Sequence, residues 1–570
     1  MEKTWKTAKP ITQDFANKFP EVNPVILQLL LNRGIDTQEK IDEFLNPDYS
    51  TDLHDPFLFK EMDEAAKRIL QAVEKKEKIV VYGDYDADGV SASAIMVSII
   101  KVLGGEVDVY IPFRETEGYG LNLEAVRQIA DKKTQLVVTV DCGISNSKEV
   151  EALKKEGIDV IVTDHHHEPP NLPKAFATIN PNLEKEKYPF KQLAGCGVAY
   201  KLAQALITKH KKYKVNQLNE GQEKWFLDLV AIGTIADMMP LVGENRTLVK
   251  YGLTVLQKTK RPGVQELVKI MNGDLNKLDE RSVGWQIAPR LNAAGRLNHA
   301  SSSYQLLITD DKKEAERLAE ELNQTNQQRQ QITDKISIEA KNILGDVKDQ
   351  KILIVSGENW PTGIVGLIAG RLTDEYHRPS LVISKYNGEI IGSGRSIPAF
   401  NIIEAIEKCN EFLARYGGHR QACGFTIKGE SELAGFVKKM EKLATKQLSD
   451  SDLIPVIDIE AEVKLEEVDW ELFENLEKFV PFGEGNPKPR FLAKDLIINE
   501  FQTVGKDAKH LRLMVKHNTE IIRKTIGFCF GDWCAKLKRG DKIDMVFEVD
   551  VNEWNGNREL QLKIVDLKIK

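Results

Sequence analysis

Three aspartates at alternate positions, Asp84, Asp86 and Asp88, follow directly on the apolar run Ile79-Val80-Val81-Tyr82-Gly83 and are closed by Gly89. Such a run reads as a buried strand, and in an open α/β sheet ligands bind beyond the carboxyl ends of the strands. Carboxylates stacked there repel one another unless a cation holds them, so the spacing suits hard divalent metals; a solvated acidic turn is the competing reading. The event recurs along the chain. QLVVTV ends in Asp141, IDVIVT ends in Asp164-His165-His166-His167, and LVAIGTIA delivers Asp237. Neutral imidazole suits Mn, Fe and Zn while carboxylate suits Mg and Mn. His165 and His166 therefore join the candidate set, whereas His167, followed by Glu168-Pro169-Pro170, reads as a bystander. Cys142 has no Cys-His arrangement for thiol catalysis around it and reads as a packing residue.

These side chains need a scaffold. KIVVYGD, EVDVYIP, QLVVTVD, IDVIVTD and ATIN are short β-rich runs separated by amphipathic segments such as SASAIMVSIIKVLGG. That rhythm predicts a parallel, doubly wound α/β sheet from Lys78 to about Asn180. Residues 196–307 read as helical, as do the first 55 or so, where PVILQLLLNRG is an apolar helix stopped by Gly34. Asp310 is expected to cap a long connecting helix from Asp311 to Leu344, stopped by Gly345 and spanning ~50 Å. Its middle, Asn323 to Gln331, is polar on every face, which predicts a bridge through solvent between domains. Residues 350–450 resume β/α alternation. From Leu453 short strands and turns, with a hairpin signal at Asn555-Gly556, predict a small β-barrel. The expected division is 1–55, 56–308, 309–346, 347–452 and 453–570.

With 570 residues, 42% hydrophobic, 39 Gly and 21 Pro, the chain is globular and too long for one domain. No apolar stretch follows Met1-Glu2-Lys3-Thr4-Trp5-Lys6, and no window reaches the length of a membrane span, so a cytoplasmic protein is expected. The six cysteines form no CxxC pair, which argues against a zinc ribbon; Cys529 and Cys534 read as strand and helix residues of a reduced protein. A net charge of −7 says little about nucleic acid, because local distribution decides. Residues 501–570 hold 14 Lys/Arg against 10 Asp/Glu, whereas 453–500 hold 5 against 12. A barrel with a basic final part and the aromatics Phe501, Phe528, Phe530, Trp533 and Trp554 suits an OB-fold gripping single strands, with Lys506, Lys509, His510 and Arg512 as the contact loop; most of the aromatics read as barrel core. Elsewhere, arginines sit in glycine-rich settings that let backbone approach a phosphate. Arg114 lies in PFRETEGYG, Arg290 and Arg296 flank Asn292 in PRLNAAGR, Arg395 lies in GSGRS, and His419 follows Gly417-Gly418. Taken singly, each arginine reads as a surface salt bridge.

GDYDADG, VTVDCG, DHH and GTIADMMPL resemble, in order, the four metal-binding motifs of the DHH phosphoesterase family, and GGHRQACGF resembles the signature of its associated DHHA1 domain. LHDPFLFKEM, PFRETEGYGL, IAPRLNAAGRL, GSGRSIPAFNI and PFGEGNPKPRF are similar to the family's RecJ-type exonuclease branch, over residues 20–570. The resemblance implies a DHH catalytic domain, a DHHA1-like domain and an OB-like barrel. It implies two ions, Mn2+ or Mg2+, one held by Asp88, Asp141, His165 and Asp237, the other sharing Asp141 and using Asp86, with Asp84 close by. Two ions ~3.5–4 Å apart activate water and stabilise in-line displacement at phosphorus. His166 would contact the scissile phosphate, and Arg114, Ser393 and Arg395 would hold a terminal 5′-phosphate. The implied activity is hydrolysis of single-stranded DNA from the 5′ end to mononucleotides in recombination and repair, by a monomer partnered by single-strand-binding protein and a RecQ-type helicase. Two departures stand out: Pro361 follows Trp360 where relatives often carry His, and Cys423 replaces an Ala. The alternatives are a DHH phosphodiesterase for short oligonucleotides or cyclic dinucleotides, which would lack the OB-like tail, and a non-catalytic replication scaffold, which would have lost the carboxylates.

Overall fold

A computed structural model of the chain describes residues 3–517, 521–554 and 556–570. They fall into two compact units: Leu53–Met239 with Thr247–Ile454, and Met1–Asp52 with Pro240–Arg246 and Pro455–Lys570.

In the first of these units the apolar runs become five parallel strands, Lys78–Gly83, Glu106–Tyr110, Leu136–Val140, Asp159–Thr163 and Ala177–Ile179, in the spatial order second, first, third, fourth, fifth. Their register is what aligns the chemistry. Gly83 lies opposite Val140, and Val140 opposite Thr163. The next residue of each strand is Asp84, Asp141 or Asp164, so three carboxylates leave the sheet at one level of one rim. Helix Ala87–Val102 follows, buried along nearly its whole length because helices Gly195–Lys209 and Leu227–Ala236 pack on it.

The long helix runs from Lys312 to Leu344 and ends at Gly345, but its cap is Asp311 rather than Asp310; Asp311 accepts from the N–H groups of Lys313 at 2.7 Å and Glu314 at 3.2 Å. Its polar middle is not solvated on every side, although Gln324, Gln327, Gln328, Gln330 and Gln331 are exposed. Asn323, Thr325 and Asn326 are buried, because helices Pro262–Ile270, Ala288–Leu297, Ser301–Ile308 and Thr362–Tyr376 pack around this helix. The amides are matched instead by arginines: Arg290 Nε donates to Asn323 Oδ1 at 3.1 Å, and Arg329 donates twice to Asn326 Oδ1, at 3.1 and 3.0 Å. Beyond it lies a second five-stranded sheet of Leu353–Glu358, Ser380–Tyr386, Glu389–Arg395, Leu413–His419 and Ala422–Ile427, mostly antiparallel.

In the other unit, strands Phe491–Val504, His510–Lys516, Ile522–Gly527, Lys542–Trp554 and Asn557–Ile569 close into a barrel, since the first pairs with both the second and the fourth, and the third with the fifth. Asn555, the first residue of the expected hairpin turn, and the side chain of Trp554 lie outside the described residues. The N-terminal segment is not wholly helical. Thr4–Thr7, with two β-branched residues, forms a strand parallel to Val456–Ile459. Helix Pro24–Asn32 buries Ile26, Leu27, Leu29 and Leu30 in the same apolar core as barrel residues Phe491, Leu511, Phe547 and Leu562. Cys529 lies in a turn with φ 62°, not in a strand, and Cys534 in the short 3-10 turn Gly531–Ala535; all six thiols are free. Among the described residues, no helix is long and apolar enough to cross a membrane.

Candidate metal centre

The strand rim gathers the acidic candidates into three overlapping groups. Asp84, Asp86 and Asp141 form one, Asp88, His165 and Asp237 another, and Asp141, His165 and His166 a third; within each, the donor atoms lie within 4.8 Å of one another. His165 Nε2 is 3.1 Å from Asp141 Oδ1 and 3.6 Å from Asp237 Oδ2. The backbone shapes the cluster closely. Asp141 itself has φ 58°, a left-handed conformation that a non-glycine residue rarely adopts and that tends to mark functional sites. A Cβ on Gly195 would stand 2.5 Å from the Asp141 side chain, so only glycine lets that helix start so close. The same helix start binds Asp88, whose two oxygens accept from Gly195 N at 2.7 Å and Cys196 N at 2.9 Å, an arrangement the positive helix terminus favours. Asp86 caps its own helix through Asp88 N and Gly89 N, at 2.9 and 3.0 Å.

The donors fit divalent cations. Asp84 Oδ1 and Asp141 Oδ1 are buried with no hydrogen-bond partner among the described residues, an expensive state for an acceptor unless a cation completes it. Burial, reinforced by the neighbouring carboxylates, pushes the pKa values of Asp84 and Asp141 well up, and pushes Asp237 up to about 8. A bound cation reverses that penalty by favouring the ionised forms. Burial holds His165 below the usual imidazole range, which keeps it a neutral donor. His166 differs. Burial opposes its charge, yet Asp164 outweighs burial and its pKa is pushed up to about 9.

Asp164 was the residue the sequence reading passed over as a site member. It is fully buried, and its oxygens accept from Ile144 N at 2.9 Å, His165 N at 2.7 Å, His166 N at 3.0 Å and His166 Nδ1 at 2.8 Å. It belongs to none of the three donor groups, and its hydrogen bonds hold the two histidines in place instead. Its place level with Asp141 is the signal that would have found it. Tyr119 was also missed; its hydroxyl lies 3.0 Å from His166 Nδ1.

The arginines gather beside this rim. Arg114 and Ser393 line one cavity of about 660 Å³, and Arg114, Arg296 and Pro361 line a second of about 180 Å³. Arg395 Nη1 lies 3.4 Å from Ser393 Oγ. Burial, with Arg114, Arg329 and Arg395 nearby, pushes Arg296 down to about 10, and its Nη1 donates to Gly363 O at 2.9 Å. Burial also lowers Arg395, and lowers His419, which has Arg395 and His167 as neighbours. His167, read as a bystander, therefore lies in the same positively charged neighbourhood. Arg290 is tied to Asn323 and to Gln286 O, and Asn292 Oδ1 accepts from Ala87 N at 2.7 Å, which props the acidic loop. In the barrel, Lys506, Lys509 and Arg512 are exposed, Phe501, Phe530 and Trp533 pack partly into the core, and Phe528 is 51% exposed. His510 meets the Phe528 ring edge-on at 5.2 Å, and Lys563 lies 5.4 Å over it.

Models of known families match three stretches of the chain: the DHH family N-terminal domain over 78–234, the DHHA1 domain over 349–446, and the RecJ OB domain over 459–566. The single-stranded-DNA-specific exonuclease RecJ of Bacillus subtilis is 38% identical over 571 residues, covering 99% of this chain and 71% of that protein. The chain belongs to the RecJ family. The protein of the same description from Escherichia coli is 32% identical, covering 95% of this chain and 96% of its own length. A crystal structure of RecJ in complex with Mn2+ from Thermus thermophilus superposes with a TM-score of 0.84 at 28% identity, covering 99% of this chain and 79% of that one. The RecJ family thus accounts for the α/β catalytic sheet, the second α/β sheet and the closed barrel together.

Proposed function

We propose that this chain is a metal-dependent exonuclease that hydrolyses single-stranded DNA from the 5′ end to mononucleotides, acting in recombination and repair. The observation that carries the reading is the convergence of Asp84, Asp86, Asp88, Asp141, His165 and Asp237 beside one strand rim, with Asp84 Oδ1 and Asp141 Oδ1 buried and without a hydrogen-bond partner among the described residues. Asp88, Asp141, His165 and Asp237 would hold one ion, and Asp86 and Asp141, with Asp84, the other. Bound Mn2+ or Mg2+ supplies Lewis acidity at the phosphodiester and lowers the pKa of water there.

The chain's own residues do the positioning. His166, fixed through Nδ1 by Asp164, keeps Nε2 for an oxygen of the scissile phosphate. Arg114, Ser393 and Arg395 would anchor the terminal 5′-phosphate, since guanidinium groups bind phosphate with bidentate, charge-assisted hydrogen bonds. Anchoring one end next to the reacting centre makes the enzyme an exonuclease and sets its direction. Arg290, Asn292, Arg296 and His419 would line the path of the strand. Lys506, Lys509, His510 and Arg512 would hold its backbone, with Phe528 offering a stacking face. The same reading divides the chain at residues 55, 308, 346 and 452. It places the protein in the cytoplasm as a monomer, with single-strand-binding protein and a RecQ-type helicase as partners.

The test offers end-labelled single- and double-stranded DNA of both polarities with Mn2+ or Mg2+. The reading expects mononucleotides released from the 5′ end of single strands. Digestion from the 3′ end, or equal attack on duplex ends, contradicts it.

A further inference from the structure

The loop between the second and third strands of the first sheet touches both ends of the proposed reaction. At one point it carries Arg114 into the cavity it shares with Ser393; five residues later it carries Tyr119 onto His166. The loop is firmly tied between these points. Glu117 accepts from Phe113 N at 2.7 Å, from the Tyr110 hydroxyl at 2.7 Å and from Asn122 Nδ2 at 3.0 Å. Gly118 and Gly120, on either side of Tyr119, both have φ 79°, and a Cβ on Gly120 would meet Asn146 Oδ1 at 2.5 Å. Asn146 in turn accepts from Leu121 N at 3.2 Å and donates to Leu121 O at 3.0 Å. These contacts tie the segment between the Arg114 end and Tyr119.

Valence fixes what Tyr119 does. Its hydroxyl lies 3.1 Å from the backbone carbonyl of Asp141, which can only accept, so the phenol proton goes there. The phenol oxygen lies 3.0 Å from His166 Nδ1 and 3.5 Å from Nε2, against the imidazole and off the Nδ1–H axis, while that N–H goes to Asp164 Oδ1 at 2.8 Å. One side chain thus pins the carbonyl of the left-handed residue at the middle of the carboxylate cluster and the ring of His166.

We propose that Tyr119 is a positioning residue that couples occupation of the Arg114 end pocket to the placement of His166 and Asp141, so that a strand whose terminal phosphate is bound is also the strand cut fastest. The proposal rests on the reading of the site given above. Two effects separate it from a purely structural role: dependence on the substrate's end, and non-additivity with Arg114.

The experiment is a double-mutant cycle of Arg114→Ala and Tyr119→Phe, with kcat and KM measured on the same single strand bearing a 5′-phosphate or a 5′-hydroxyl, at saturating Mn2+. Tyr119→Phe keeps the ring and loses only the hydroxyl. It is expected to lower kcat on the phosphorylated strand about tenfold, with KM changed less than twofold, and to shrink the preference for phosphate by a similar factor. The double variant should be little worse on that strand than Arg114→Ala alone. Multiplicative effects of the two substitutions, or an undiminished phosphate preference in Tyr119→Phe, overturn the coupling. A wild-type enzyme with no phosphate preference overturns the end-pocket reading itself, a separate outcome visible in the first measurement.

Discussion

Asp164 and Asp141 leave neighbouring strands at the same level, yet their carboxylates end in opposite states. Both oxygens of Asp164 accept from the chain's own N–H groups, whereas Asp141 Oδ1 has no hydrogen-bond partner among the described residues. Asp141 belongs to two of the donor groups and Asp164 to none, so one serves as a ligand and the other orients ligands. Asp164→Asn should leave metal binding within a few-fold, because the donors remain, but lower kcat by about 10–100-fold as His166 loses its fixed ring orientation; steady-state rates with a parallel Mn2+ titration check this. Arg395 lies on the other side of the proposed reaction, beside Ser393. Removing a charge-assisted hydrogen bond costs about 1.5–3 kcal/mol. Arg395→Ala is accordingly expected to cut a 5′-phosphorylated strand roughly 10–100-fold less well and a 5′-hydroxyl strand almost unchanged; equal losses on both would misplace the pocket. At this scale the sequence was legible for residues that follow an apolar strand, such as Asp84 and Asp141. It was silent on Tyr119, whose bond to His166 spans 47 positions and has no local pattern.

Glycine at a helix start governs how close two elements come, and Gly195 is the clearest case. Gly195→Ala would place a methyl group 2.5 Å from the Asp141 side chain. Such overpacking costs about 1–3 kcal/mol and here would move a cluster ligand, so thermal unfolding should register the loss together with a fall in activity. Full activity in that variant would show that the helix start can retreat from Asp141 at no cost. The strands of the catalytic sheet were readable because a parallel sheet covered on both faces requires continuous apolar runs. The long helix was readable in extent but not in surroundings. A polar stretch such as Asn323 to Gln331 looks the same whether it meets water or half-buried arginines, and the arginines that match it, Arg290 and Arg329, are recognised only once the helices have packed. The opening strand Thr4–Thr7 was missed for a related reason: its partner, Val456–Ile459, lies some 450 residues away.

The barrel unit draws on three separated stretches of chain, since residues 1–52 and 240–246 belong to it as well as 455–570. Cutting the chain near Leu453 would therefore strip helix Pro24–Asn32 of the apolar core it shares with the barrel, and weaker binding would not isolate the residues that hold DNA. Point variants do. Replacing Lys506, Lys509 and Arg512 by Ala should weaken binding of long single strands and lower the salt slope by about 0.7 for each phosphate no longer neutralised; an unchanged slope in a salt titration would remove these residues from the DNA path. Net charge gave no hint of this, because −7 over 570 residues hides the contrast between the acidic stretch 453–500 and the basic stretch 501–570. The central claim is that the buried carboxylates form a two-ion centre that performs the hydrolysis. It is tested most directly by counting Mn2+ bound per chain and measuring turnover on 5′-phosphorylated single-stranded DNA, in the wild type and in Asp141→Ala. The account predicts two ions and chelator-sensitive turnover in the wild type, and a folded variant that loses nearly all activity together with tight binding of both ions; turnover in Asp141→Ala within tenfold of wild type, with Mn2+ present, would contradict it.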